Sequence, residues 1–204
     1  MKNIRHNKIW GYEDWLYDDG YILIKYIKTH DRLSIQVHPN EEHAKILGGK
    51  PKTEMWYILK DSIIFVGFKS HVTINDIKMA LIANNFEDLM VKIHAKKHDC
   101  FFIPSGLVHA IGESSEILEV QQSSDTTYRL YDWNRTDIFG NKRQLHINEA
   151  LKCIDLTLNP PIAQSYIQSK YFNVKPIGHT IYINNNNLNK QLCYNALLNK
   201  LTNI

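Results

Sequence analysis

Short apolar runs separated by turn residues fill the first 130 residues. The run 21–28, YILIKYIK, is rich in aromatic and β-branched side chains. So are 33–38, 55–59, 63–68, 101–103, 117–121 and 127–131. Such residues suit a pleated, half-buried surface. Asp18-Asp19-Gly20, His38-Pro39-Asn40, Gly48-Gly49, Lys60-Asp61 and Pro104-Ser105-Gly106 punctuate the runs. Many short strands with regular turns predict a mainly β domain, a barrel or a sandwich.

Elsewhere the period changes. Residues 74–84 begin at a capping pattern, Thr73 followed by Asp76. Residues 86–94 carry Phe86, Leu89, Met90 and Ile93 at helical spacing, so about 74–94 is predicted as a small helical segment. A short helix is expected over 148–155 (NEALKCID), with Asn148 as its N-cap. Pro160-Pro161 then breaks the chain, and 171–177 reads as one more strand. Four Asn follow at 184–187, and the last 20 residues are rich in Asn and Leu. That tail fits either an amphipathic helix packed on the domain or a frayed end. No internal repeat is visible. The expected division is a domain over 1–158 and an extension over 159–204, a remnant strand plus tail.

Candidate chemistry sits on the predicted strands. Gln36 and His38 stand two apart in L-S-I-Q-V-H-P. In a strand such residues share a face, and Ile35 and Val37 take the other. Pro39 ends the strand at once, which puts the pair near a barrel mouth. Glu54 heads the run Glu54-Met55-Trp56-Tyr57, and His109 follows the turn at Pro104-Ser105-Gly106. A lone strand histidine is usually a core or surface residue. A buried carboxylate is rarer, because it is costly without a partner. Imidazole, carboxylate and amide oxygen together suit a divalent ion: zinc accepts such ligands, and the set would also take manganese or iron. Three or four protein ligands leave a position open for water or substrate. His43, His94 and His98 are read as surface residues.

Composition narrows the partners. The net charge is +3 over 204 residues, with no dense Lys/Arg run. That suits anionic small molecules and gives no support for nucleic acid binding. The three cysteines, Cys100, Cys153 and Cys193, are far apart and odd in number, which argues against a disulfide framework. The first ten residues lack an apolar h-region, and no stretch approaches the ~20 apolar residues of a membrane helix. The expectation is a cytoplasmic protein without a membrane partner.

Four segments in order carry a resemblance. They are Gln36-Val37-His38-Pro39-Asn40, Gly49-Lys50-Pro51-Lys52-Thr53-Glu54, Pro104-Ser105-Gly106-Leu107-Val108-His109-Ala110-Ile111-Gly112, and 121–133 (QQSSDTTYRLYDW). Together with the early Ile9-Trp10-Gly11 and Arg143-Gln144-Leu145-His146-Ile147, they closely resemble type I mannose-6-phosphate isomerase of the cupin superfamily. The resemblance implies a cupin (jelly-roll) β-barrel with one zinc per chain. It places the metal ligands at Gln36, His38, Glu54 and His109, and a catalytic arginine at Arg129. It implies interconversion of mannose 6-phosphate and fructose 6-phosphate; monomer and homodimer both stay open. Members usually carry more chain before the first ligands and a second cupin-like domain; here only 171–177 resembles the start of that domain.

Aldose–ketose isomerisation moves a proton between C1 and C2 through a cis-enediol, so three further groups matter. Arg129 has a fixed charge and forked donors suited to an oxyanion or phosphate. Strand alternation puts Thr127, Arg129 and Tyr131 on one face, with Tyr128 and Leu130 opposite. Lys52, two before Glu54, is a candidate for the phosphate or for a substrate oxygen. Glu119, a polar residue amid apolar ones, is a candidate proton shuttle or the partner of Arg129. Trp10, Trp15, Trp56 and Trp133 are candidates to line a sugar site, against a default of core packing. The rival readings are an iron-dependent dioxygenase, another sugar-phosphate isomerase or epimerase, and a non-catalytic sugar-binding cupin.

Overall fold

The structure, a computed structural model, describes residues 4–177, 180–184 and 191–192. The predicted runs become strands within a residue or two of their expected bounds. In chain order the first strands are β1 (Ile4–Lys8), β2 (Gly11–Asp18), β3 (Ile22–Thr29), β4 (Ile35–Val37), β5 (Glu54–Lys60) and β6 (Ser62–Phe68). Next come β7 (Met90–Ala95), β8 (Cys100–Ile103), β9 (His109–Ile111), β10 (Glu116–Gln122) and β11 (Tyr128–Tyr131). A later group is β12 (Ile167–Gln168), β13 (Asn173–Ile177), β14 (Thr180–Asn184) and β15 (Gln191–Leu192). The helices are α1 (Glu41–Leu47), α2 (Ile74–Ala83) and α3 (Ile147–Cys153).

The strands form three antiparallel sheets. The first runs β1-β2-β3-β10-β5-β8, the second β11-β4-β9-β6-β7, and the third β12-β13-β14-β15. The first two face each other as the cupin jelly roll. Side-chain parity sorts the first sheet's residues between its two sides. Ile27, Trp56, Ile58, Phe101 and Ile117 meet Ile64, Val66 and Ile111 of the second sheet in the interior. The alternate residues Ile24, Tyr26, Met55, Tyr57, Leu118 and Val120 turn outward. There Phe172, Val174, Ile181 and Ile183 of the chain after Pro160-Pro161 cover them. The outer side of the second sheet, with Ile35, Val37 and Leu130, packs on Ile77 and Ala80 of α2 and on Ala150 and Cys153 of α3. Both sheets are thus covered on both sides, which explains why β3 is buried almost throughout.

Several expectations need correction. The helical spacing at 86–94 does not give a helix. Phe86–Leu89 is one 3-10 turn, and Met90 onward is β7, the edge strand paired to β6. A pattern of alternate buried and exposed residues from Met90 to Ala95 fits a half-covered edge strand, and the outer cluster takes up Phe86 and Met90 in the same way a helix would. Helix α2 forms as expected, with the full capping box between Thr73 and Asp76. Helix α3 starts one residue early, behind His146, and no side chain caps it; Asn148 lies inside the helix. The acidic helix α1, capped by Asn40, is additional, as are β1 and β2. The chain after residue 158 contributes more than one strand to the third sheet. The four-Asn run and the last 20 residues fall almost wholly outside the described residues.

Strands β1 and β2 meet in a tight turn at Ile9-Trp10, which drives Trp10 under the first sheet's edge. Its carbonyl accepts from His30 N (2.8 Å) and Asp31 N (3.1 Å). Gly11 has φ +150°, and a Cβ there would stand 2.1 Å from the Lys28 carbonyl oxygen. Gly11→Ala is therefore expected to cost at least about 2 kcal/mol of stability, read from urea unfolding. A change below a few tenths would show that the turn relaxes freely.

Candidate metal centre

Three strand positions and one just past a strand end, from both sheets, bring the site together. Gln36 lies in β4, with His38 one residue past its end; Glu54 opens β5, and His109 opens β9. Gln36 pairs directly with His109 in the ladder, and Ile35 and Val37 face outward as the alternation requires. His38, Glu54 and His109 are buried, and their ligand atoms all lie within 4.8 Å of one another.

The hydrogen bonds decide which atoms point inward. His38 Nδ1 is 2.9 Å from the Thr126 carbonyl oxygen, and His109 Nδ1 is 2.8 Å from that of Leu107. A carbonyl only accepts, so each Nδ1 carries the hydrogen and each Nε2 is bare. His38 Nε2 then sits 3.3 Å from Glu54 Oε2, and His109 Nε2 sits 3.4 Å from Oε1. These distances would be ion pairs only with charged imidazoles. Burial, with the charge of Lys52, pushes His38 down to about 3, and burial also lowers His109. Both rings are therefore neutral. Burial opposes the charge of Glu54, but Lys52 and the two imidazoles together outweigh it and hold the carboxyl well below its usual range. Lone pairs thus converge with no proton between them. His38 Nε2 and both Glu54 oxygens are buried without a hydrogen-bond partner among the described residues; Lys52 Nζ, 2.8 Å from Oε2, meets it as an ion pair.

Such a set fits a divalent cation, and two nitrogens with a carboxylate suit zinc. Gln36 lies at its edge: its Nε2 is 3.4 Å from His109 Nε2, and its Oε1 accepts from Ser34 Oγ at 3.4 Å. A half-turn of the amide exchanges the two atoms and presents the oxygen.

The cavity beside this cluster has a volume of about 230 Å³, several times the roughly 30 Å³ of a water. Lys52, Glu119 and Arg129 all line it, and so do Trp10 and Trp56. Glu119 does not hold Arg129, correcting that alternative. Its Oε2 accepts from Trp56 Nε1 (3.1 Å), while Oε1 faces Lys52 (3.7 Å) and Lys25 (3.8 Å). Burial and the like charge of Glu54 raise the Glu119 carboxyl to about 7. Lys52 keeps its charge: burial works against it, but Glu119 and Glu54 raise its pKa overall. Arg129 donates Nη1 to the Gln144 carbonyl at 2.7 Å. Tyr131 does not share its face. A register shift between Arg129 and Tyr131 turns Tyr131 outward, where it stacks on Phe86. Trp15 lies over Lys25, and Trp133 packs in the outer cluster under Arg32.

Sequence reasoning missed Glu13, Lys25 and Arg143, which also line the cavity. Lys25 carried a signal: a cation on the inward side of a mostly apolar strand, the side that Lys28 does not share. Glu13 and Arg143 gave none, since their neighbours are mixed.

Two outcomes follow from this geometry. His109→Ala is expected to lose bound metal while staying folded, checked by elemental analysis and circular dichroism; full occupancy would refute the cluster. Protons compete with a metal only below a ligand's own pKa. Metal loss on stepwise acidification should therefore begin well below the ordinary histidine value of about 6.5. A midpoint at that value would mean that the rings titrate freely.

No family model matches the chain. The Bacillus subtilis mannose-6-phosphate isomerase ManA is 40% identical over 144 residues, 68% of this chain and 45% of the relative. The probable mannose-6-phosphate isomerase GmuF of the same organism is 34% identical over 186 residues, 83% of this chain and 58% of the relative. A crystal structure of the mannose 6-phosphate isomerase from Bacillus subtilis superposes with a TM-score of 0.67 at 29% identity, covering 76% of this chain and 54% of that one. The chain spans about half the length of the curated relatives it matches. Sequence likeness and shared fold converge on one conclusion: over the half of their length that it spans, the chain is related to the mannose-6-phosphate isomerases.

Proposed function

We propose that the chain is a zinc-dependent aldose–ketose isomerase that interconverts mannose 6-phosphate and fructose 6-phosphate. The observation that carries this reading is the convergence of unprotonated, buried donors beside a cavity that holds Lys52, Glu119 and Arg129. His38, Glu54 and His109 would hold the metal, with Gln36 as a fourth ligand. Zinc, when bound, supplies Lewis-acid polarisation of the substrate's carbonyl and hydroxyl oxygens.

The chain's own groups divide the remaining work. A carboxyl near 7 both takes and returns a proton at working pH. Glu119 therefore carries the proton between C1 and C2, on Oε1. The Trp56 bond pins Oε2, and the lysines stand too far from Oε1 to hold it by a hydrogen bond. Lys52 keeps a fixed positive charge between Glu54 and Glu119 and steadies the negative charge that develops on the enediol. Arg129, opposite Gln36 in the β4–β11 ladder, offers a second fixed cation on the same wall. Trp10 and Trp56 give apolar area against the sugar and keep water from the intermediate.

The direct test is a coupled assay on mannose 6-phosphate with zinc-loaded protein, before and after chelation. Oxygen consumption with iron, and no sugar interconversion, would favour an oxygenase instead. Arg129→Ala is expected to lower kcat roughly 100-fold or more while zinc content stays constant. Equal loss of zinc and turnover would refute its role at the substrate. Glu119→Gln should lower kcat by roughly 100- to 10,000-fold and abolish solvent exchange of the C2 hydrogen of mannose 6-phosphate, followed by NMR. Retained exchange would assign the proton to another group.

A further inference from the structure

The cavity has a second charged end, away from the metal cluster. Arg143 lines it, in the loop between β11 and α3. Its Nε donates to Asp132 Oδ2 at 2.7 Å, and its Nη2 donates to Oδ1 of the same carboxylate. Asp132 is 6% exposed, so the grip is fixed in place. That fork uses one edge of the guanidinium. No acceptor among the described residues takes Nη1, and the side chain is 24% exposed. Arg143 is thus a rigidly aimed cation with an unused donor edge.

Charge accounting leaves this end positive. Lys25 and Lys52 are consumed by Glu13, Glu54 and Glu119 in the buried interior. Asp132 is divided between two guanidiniums, because Arg135 also binds it through Nη2 at 2.7 Å. Arg135 turns away from the cavity to Asp31 and the Arg32 carbonyl. Arg129 has no carboxylate within ion-pair distance among the described residues, and Arg143 lowers its pKa after burial does. Two adjacent guanidiniums on one wall therefore share half of one carboxylate. On that wall Arg129 is the ladder partner of Gln36 and donates to the carbonyl of Gln144, the residue next to Arg143.

We infer that Arg143, held by Asp132, is a substrate-binding residue that receives the phosphate group at the end of the sugar remote from the metal. This rests on the proposed isomerase reading for the identity of the substrate. A phosphate monoester carries nearly two negative charges and three terminal oxygens, and a guanidinium edge matches them. That arrangement then sets the direction of the sugar, with its reacting carbons at the histidines and its phosphate at the rim.

Calorimetry on the zinc-loaded full chain tests this with inorganic phosphate, mannose 6-phosphate and mannose. Arg143→Gln is expected to weaken both phosphate-bearing probes roughly 10- to 100-fold and to leave mannose unchanged. In turnover, KM should rise by that factor with kcat held within about threefold, and Arg143→Lys should recover part of the loss. Arg135→Gln is the control, since it loses the same carboxylate without facing the cavity. It should leave phosphate binding intact. Equal losses in the two variants, phosphate binding unaffected by Arg143→Gln, or no phosphate binding by the unaltered chain would each overturn the inference. Arg143-dependent phosphate binding without mannose 6-phosphate turnover would retain the anion site and refute the isomerase reading. Turnover with a KM indifferent to Arg143 would do the reverse.

Discussion

A buried carboxylate facing two bare imidazole nitrogens is the constraint on which the site depends. Glu54, His38 and His109 are at most 1% exposed, so their lone pairs are shielded from bulk solvent. The folded chain tolerates this because Lys52 stands 2.8 Å from Glu54 and offsets its charge. Stripping a buried charge of its partner costs about 3–5 kcal/mol. Lys52 therefore steadies the cluster when no cation is bound and keeps the carboxylate ionised and ready for one.

The cluster also joins the two sheets. Gln36 and His109 belong to the second sheet and Glu54 to the first. A cation held there would tie the facing layers, whose interior cluster is apolar and non-directional. The two ring tautomers are set from loops, at the Thr126 and Leu107 carbonyls. The loops that rim the barrel thus aim atoms at its centre, and the rigid strands supply only position.

Around the cluster, charges alternate across the interior side of the first sheet. Lys8, Glu13, Lys25, Glu119, Lys52 and Glu54 follow one another, each within ion-pair distance of the next. Such a row is affordable inside a barrel because each charge has an opposite neighbour. It leaves Glu119, squeezed by burial and by Glu54, as the carboxyl most ready to hold a proton. The guanidinium wall opposite is under-neutralised. The cavity thus has a balanced floor and a positive rim.

Much of this was legible along the chain. Runs of β-branched and aromatic residues between turns located most strands, and period-2 alternation gave the parity of Gln36 and His38, since that parity is a property of any extended backbone. The Thr73–Asp76 box placed α2 because capping is local. Where alternation failed, a non-local cause intervened. The bulge after Arg129 turned Tyr131 outward, and the outer cluster claimed Phe86 and Met90 from a strand edge. Lys25, Glu13 and Arg143 became site residues only through partners far away in sequence. The amino-acid order by itself determined the strand content, the mainly β class and the donor types, because these follow from backbone geometry and side-chain chemistry. Only the tertiary structure decided which nitrogen of each histidine is bare, which carboxylate carries a proton and which arginine faces the cavity. Those properties arise from burial and from neighbours that the folded sheets, not the sequence, bring within a few ångströms.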